Sequence, residues 1–413
     1  MKPAMPHIGE LSNLSQSGST RARLRCSMRI LHTIDHLDFR RGGPSTAIVD
    51  LSHAMAELGH EVAVAALHGP DVPATWRGTA CSPRAIDLPS TRTPLLSRNA
   101  REILRAEILT ADVVHLHGVW EPLNAQVARL ARRAAVPYVI SLRGMLDDWS
   151  MAQRWFKKRV YWQCIARSML AHAEAVHCTA ALELRQSRKW FPEHLGRVLP
   201  NLINLRQFNA MPGAEHARAR WPQLRTDAPK LLFLSRLSSK KGLDHLIDAA
   251  AQLHKQGTPV AVFVAGTGDD VYEQACRTRS ETLGIAQHVH FLGHVGGVEK
   301  VSLFEACDLF VLPTSQENFG FVFFEALAAG LPVLTTDLVD TADEIAQSGG
   351  GFIVAQDATK IAALCHTLLG DRTELRRRGQ LGRAWTFDRL DPARVGREFE
   401  AFYREHARKP AHG

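Results

Sequence analysis

Residues 308–336 read DLFVLPTSQENFGFVFFEALAAGLPVLTT. A short apolar run at 308–313 leads through a polar loop into an apolar, helix-like stretch at 320–329. A second short apolar run follows at 332–336. Short apolar runs bounded by turn residues and joined through a helix read as parallel strands with a crossover. Parallel strands are covered on both faces, so this one stretch already implies a layered α/β domain.

The pattern repeats outward in both directions. Upstream, KLLFLSRL (230–237), AVFVAG (261–266) and HVHFLG (288–293) read as strands, with helices at 242–256 and 270–283. A polar, Pro-containing stretch at 205–229 separates them from an earlier series. That series has strands at 28–34, 61–67, 113–117, 138–142 and 175–179, helices at 44–58 and 122–134, and a long helical region at 151–172. The expected fold class is α/β, with two doubly wound Rossmann-like domains facing a cleft. Their bounds are 28–205 and 206–384, and a C-terminal helix within 385–413 is expected to return to the N-terminal domain. Ligands of such sheets bind beyond the carboxyl ends of the strands, so the loops there should carry the chemistry.

Composition narrows the partners. The 413 residues are 45% hydrophobic and 22% charged with a net charge of +8, which excludes collagen-like, disordered and disulfide-stapled chains. The excess of positive charge points to nucleic acid, an anionic membrane or a phosphorylated substrate. Seven widely spaced cysteines without a C-x-x-C read as core residues of a reducing compartment. No apolar run is long enough to span a membrane. Residues 1–27 are polar and Ser-rich, lack the apolar core of a secretion signal and read as a disordered extension, with Met28 as an alternative start.

Four loops stand out. Glu317 and Glu325 lie eight residues apart, the first in the loop after strand 308–313 and the second inside an apolar helix. A carboxylate there needs donors, and sugar or ribose hydroxyls would serve; a helix-capping Glu317 and a Glu325 paired with a buried arginine are the structural alternative. The helix N-terminus near Gly320 favours phosphate. Ser235–Gly242 (SRLSSKKG) places Arg236 and Lys241 where both could reach one anion, against the alternative of a solvated basic loop. Arg41-Gly42-Gly43-Pro44 allows close approach of backbone to a ligand, or is simply a turn; neither a dinucleotide fingerprint nor a P-loop is present. In His115-Leu116-His117-Gly118 the two side chains are read as pointing to opposite faces of the strand, unable to share a metal. His117 is expected to face the cleft, and His115 to be a satisfied core histidine.

Taken together, the E-x7-E element Glu317–Glu325, the Arg236/Lys241 loop, the GGP loop and the FLGHV segment at 291–295 resemble the retaining glycosyltransferases of glycosyltransferase family 4, which have the GT-B fold. The resemblance spans roughly residues 28 to 385. It implies a nucleotide-diphosphate sugar as co-substrate, bound by the C-terminal half. Arg236 and Lys241 would hold the diphosphate, Glu325 the ribose hydroxyls, and Glu317 the donor sugar. The backbone of Asn318, Phe319, Gly320, Phe321 and Val322 would assist. His294 and Val295 would flank the base, Gly42 and Gly43 would approach the phosphates, and His117 would lie near donor sugar and acceptor. Glu317, His117, Arg236 and Lys241 are thus the expected catalytic set. No cofactor and no divalent metal are expected, because Arg236, Lys241 and a helix dipole can meet the charge developing on the leaving group.

The acceptor is expected to be a saccharide or a lipid-linked saccharide, in lipopolysaccharide or exopolysaccharide synthesis. Residues 151–190 hold eight Lys/Arg and two Asp/Glu, interleaved with Trp155, Phe156, Tyr161 and Trp162. A helix of this kind at 151–172 can lie on an anionic leaflet, so the expected location is cytoplasmic and peripheral on the inner membrane face. Two alternatives are a sugar-nucleotide 2-epimerase on the same fold and a basic nucleic-acid-binding protein. The second is disfavoured because the basic residues are spread out and no recognition motif appears.

Overall fold

The computed structural model describes residues 27–38, 43–68, 71–73, 76 and 82–409. Gly42, the N-terminal extension up to residue 26, Cys26 and Cys81 fall outside the described residues. Two wholly parallel sheets form. The first has seven strands in the order β3-β2-β1-β4-β5-β6-β7. These are β1 (Arg29–Ile34), β2 (Glu61–Ala66), β3 (Arg84–Asp87), β4 (Val113–His117), β5 (Tyr138–Ser141), β6 (Ala175–Cys178) and β7 (Gly196–Val198). The second has six strands in the order β10-β9-β8-β11-β12-β13. These are β8 (Lys230–Leu234), β9 (Ala261–Ala265), β10 (Val289–Gly293), β11 (Leu309–Leu312), β12 (Val333–Thr336) and β13 (Gly351–Val354). The central strands are buried along their whole length, as continuous apolar runs in parallel sheets require. Sequence pattern overlooks β3, β7 and β13, which are three or four residues long and partly exposed.

The long helical region at 151–172 is broken. Arg154 adopts φ 51°, between a short helix Asp148–Ala152 and a second one at Trp155–Tyr161. A π turn at Trp162–Ala166 then turns Trp162 inward onto Trp190, with ring centroids 5.0 Å apart.

The chain leaves the first core between Leu202 and Ile203, which pack in different clusters. It returns later than 385: the helix Arg372–Arg389 stays with the second core through Leu375, and Leu390 is buried there. The crossing comes at Asp391, whose carboxylate caps the helix Pro392–His406. Val395, Phe399, Phe402 and Tyr403 of that helix pack with Met28, Ile30 and Leu51 against the first sheet.

Beneath this helix lies a layer of histidines. His32, His115, His117 and His177 are all buried. The expectation that His115 and His117 point to opposite faces is incorrect. Residues two apart on a strand share a face, and these two rings stack with centroids 4.0 Å apart. His32, His115 and His117 could bring one nitrogen each around a common point, so the reasoning against a shared metal also falls.

Hydrogen bonds nevertheless engage all but one of these nitrogens, His32 Nε2 being buried without a partner. His177 Nε2 donates to the Leu199 carbonyl (2.9 Å), so its Nδ1 accepts from Ser141 Oγ (2.6 Å). Ser141 Oγ then accepts from His115 Nε2 (2.7 Å), and His115 Nδ1 accepts from the Tyr403 hydroxyl (2.7 Å). His115 is therefore the satisfied core residue that sequence suggests. On the other branch, Arg143 donates to His117 Nδ1 (3.0 Å), and His117 Nε2 donates to His32 Nδ1 (2.9 Å). The expectation that His117 faces the cleft is corrected too: it is 1% exposed, and both its ring nitrogens are engaged.

Burial holds these imidazoles neutral, lowering His177 to about 4 and His32 to about 3. A histidine depressed in the fold takes up a proton on unfolding once the pH drops below its unfolded value near 6.5. Its contribution is complete above that value and is lost as the pH falls toward about 4 for His177. His177→Gln should therefore be less stable than wild type at pH 7, with a deficit that shrinks by up to about 1.4 kcal/mol per pH unit between pH 6.5 and 4. Denaturant titrations across that range check this; a constant deficit would mean that His177 is not held neutral.

Candidate active site

The carboxyl ends of β8 and β11 build one wall of the cleft. After β8 the chain turns at Ser238–Gly242, where Gly242 takes φ 72°. A Cβ at Gly242 would lie 2.1 Å from the Pro313 carbonyl oxygen, so only glycine lets this loop rest against the end of β11. Ser315 N–H and Thr314 Oγ1 both donate to the Lys240 carbonyl, at 2.8 and 3.1 Å. These contacts bring Lys241 against Glu317, and the two form an ion pair with side chains 12% and 24% exposed. Arg236 stays exposed on the same loop and has no ion-pair partner among the described residues.

The helix Phe321–Ala328 starts from Gly320 at φ 66°. Its first-turn N–H groups and dipole add positive potential beside Lys241. Glu325 lies further along and pairs with Lys300 (2.7 Å). The structural alternative of a paired Glu325 thus holds, with a lysine in place of the expected arginine. Lys300 comes from the helix Gly297–Ala306, and no local sequence signal connects it to Glu325.

The other predicted residues divide. Phe319 packs its ring into the core against Phe321 and Phe324, leaving only its backbone for a ligand. Asn318 spends its side chain on Asp340 (2.9 Å) and Thr179 (3.1 Å). Val295 is buried, and His294 is exposed beyond β10. The end of β10 joins the wall through Gly266 N–H, which donates to the Gly293 carbonyl (2.7 Å). Gly266 and Gly268 were not singled out from sequence. Each lies against the 235–237 backbone so closely that a Cβ would meet a carbonyl oxygen at 1.9 and 2.2 Å.

The opposite wall comes from the first domain. A Cβ on Gly43 would lie 3.3 Å from the Phe321 ring, so the glycine loop meets the start of the helix Phe321–Ala328. Asp50, on the helix Gly43–Glu57, is pushed up to about 7 by burial and by the charge of Glu325. Gln316 donates to Asp147 (2.6 Å), and Lys240 lies 4.8 Å over the Trp149 ring. Burial, and then the neighbouring Glu183, push Asp340 up to about 8. Asp50, Asp147, Asp340 and Lys300 carry no motif and become visible only through the fold.

The chain also resembles characterised proteins. Residues 42–201 match the glycosyl transferase 4-like domain, and residues 217–385 match the glycosyl transferases group 1 domain. The phosphatidyl-myo-inositol mannosyltransferase of Mycobacterium leprae is 28% identical over 340 residues, 79% of this chain and 84% of that protein. The D-inositol 3-phosphate glycosyltransferase of Nocardia farcinica is 28% identical over 304 residues, 71% of this chain and 66% of that protein. Among solved structures, Anabaena Alr3699/HepE in complex with UDP superposes with a TM-score of 0.76 at 19% identity, covering 92% of this chain and all (100%) of that one. WaaG, a glycosyltransferase involved in lipopolysaccharide biosynthesis, superposes with a TM-score of 0.68 at 19% identity, covering 90% and 99%. The two sheets, their facing carboxyl edges and the two matched domains agree: the chain belongs to the family 4 glycosyltransferases of GT-B fold, enzymes that transfer a sugar from a nucleotide sugar.

Proposed function

We propose that this enzyme transfers a hexose, with retention of anomeric configuration and without a divalent metal, from a nucleotide-diphosphate sugar to a saccharide or lipid-linked saccharide of the cell surface. One observation carries this reading. Lys241 pairs with Glu317, Arg236 is exposed on the same loop, and the helix Phe321–Ala328 starts just after Glu317, all at the carboxyl ends of two adjacent strands.

Cleaving the anomeric C–O bond leaves a nucleoside diphosphate with added negative charge. Arg236 offers a planar fork, Lys241 a compact charge and the helix its dipole, all set in place before reaction. In a front-face reaction the acceptor oxygen attacks from the side the diphosphate leaves, and a phosphate oxygen takes the acceptor proton. Glu317, tied to Lys241, then orients the donor sugar instead of attacking it. Glu325 keeps its second carboxylate oxygen for ribose hydroxyls while Lys300 holds the first. The two-carboxylate scheme of glycosidases has no place in this arrangement.

A lipid-linked acceptor agrees with a second surface. Trp155 and Phe156 are 61% and 65% exposed, and Arg154, Lys157 and Arg159 surround them. Apolar rings set among cations suit the interface of an anionic leaflet. The name of the Mycobacterium leprae relative, a phosphatidyl-myo-inositol mannosyltransferase, points the same way.

Lys241→Ala and Glu325→Ala should each lower kcat/KM for transfer by about 100-fold or more while leaving the circular dichroism spectrum unchanged. Near wild-type activity in either would remove the donor-site assignment, and isomerisation of the nucleotide sugar without acceptor would favour an epimerase. Activity should be unchanged in excess EDTA; loss that magnesium or manganese restores would contradict the charge-clamp account. Replacing both Trp155 and Phe156 by Ala should weaken binding to vesicles containing phosphatidylglycerol, as should raising the salt concentration. Equal sedimentation of both proteins with the vesicles would refute the membrane surface.

A further inference from the structure

Arg143 is costly where it stands. It follows β5 in Leu142-Arg143-Gly144 and takes φ 54°, with Gly144 next at φ 71°. Left-handed backbone at a large side chain is strained, and such strain persists where the surrounding structure over-determines it. The turn is pinned from both domains. Gly144 N–H donates to Glu183 (2.5 Å), and a Cβ on Gly144 would lie 3.0 Å from Asn318 of the second domain.

The guanidinium at this junction meets polar but uncharged partners. Nη2 donates to His117 Nδ1 (3.0 Å) and Nη1 to Asn201 Oδ1 (3.2 Å). Nε is buried without a hydrogen-bond partner. No carboxylate comes within ion-pair distance among the described residues. Of the two acidic groups nearest in charge, Glu183 accepts from Gly144 and Thr179 and acts on Arg143 only through space, and Glu121 accepts from Asn124 (2.7 Å). Burial, with Asp35 nearby, raises Glu121 to about 8 and keeps it largely neutral at pH 7, so it supplies little countercharge. Burial also lowers Arg143 itself to about 10. A desolvated cation with no direct ion pair, and with one buried donor left unsatisfied, is destabilising. Its retention calls for an anion that arrives from outside.

We propose that Arg143 is an oxyanion-binding residue of the first domain, beside the turn where Gly144 meets the second domain. The oxyanion is a phosphate-type group, supplied either by the donor diphosphate or by an anionic acceptor. This assignment rests on the donor site proposed above. It also gives the His117 branch a use: neutral His117 and Asn201 orient the fork without cancelling its charge, so the charge is kept for the substrate.

Calorimetry with the full-length enzyme tests it in two arms. In the first, UDP and GDP are titrated into wild type and Arg143→Gln. In the second, inorganic phosphate is titrated into each protein saturated with whichever nucleotide binds. A tenfold or greater loss of nucleotide affinity assigns the oxyanion to the donor. A comparable loss of phosphate affinity alone assigns it to the acceptor. Unchanged affinity in both arms overturns the proposal and leaves Arg143 as a support for His117. Should Arg143→Gln fail to fold, Arg143→Lys keeps the charge and loses the fork. It should bind severalfold more weakly in one arm, and equal binding in both would again overturn the proposal. If wild type binds neither nucleotide, the donor reading fails instead, and the phosphate titration, run on the free enzymes, still decides Arg143.

Discussion

The segment Thr314–Asn318 is tied to four other parts of the chain at once, and the cleft takes its form from those ties. Thr314 and Ser315 hold the Lys240 carbonyl, and Glu317 pairs with Lys241. The Glu317 carbonyl accepts from Asp340 N–H (2.9 Å), while Gln316 and Asn318 reach Asp147 and Thr179 of the first domain. The proposed transfer needs the clamp and the facing wall held in register, because positioning supplies much of the rate. One segment fixes both relations. Loosening it would disturb the clamp and the domain contact together.

Charge is distributed unevenly around this segment. The cations Arg236 and Lys241 share the loop after β8, Arg236 exposed and Lys241 half-hidden against Glu317. The carboxylates Asp147, Glu183 and Asp340 sink between the domains, and burial raises each of them. Asp340, raised to about 8, is largely neutral at pH 7 and adds little negative potential to oppose a diphosphate. The cleft can therefore present positive potential although acidic residues line its floor.

Much of this was legible in advance for a physical reason. Parallel strands buried on both faces write themselves as apolar runs, so β8 to β12 stand out, whereas the short edge strands β3 and β7 do not. The Arg236–Lys241 element is local in sequence because it occupies a single strand-end loop, and Glu317–Glu325 because it runs from such a loop straight into the following helix. Partners brought from afar left no such mark. Lys300 reaches Glu325 from a separate helix, and Tyr403 reaches His115 across most of the chain. The His115/His117 reading failed on strand geometry. With that corrected, His117 belongs to a buried layer beneath the C-terminal helix, and Arg143 is the side chain connecting that layer with the domain junction.

The central claim is that a donor diphosphate rests between the Arg236/Lys241 loop and the N-terminus of helix Phe321–Ala328. A crystal structure of the enzyme with UDP or GDP tests it most directly. The account predicts phosphate oxygens within hydrogen-bond distance of the Arg236 and Lys241 side chains, with ribose hydroxyls at Glu325. A nucleotide bound elsewhere, or a diphosphate that leaves both cations untouched, would contradict it.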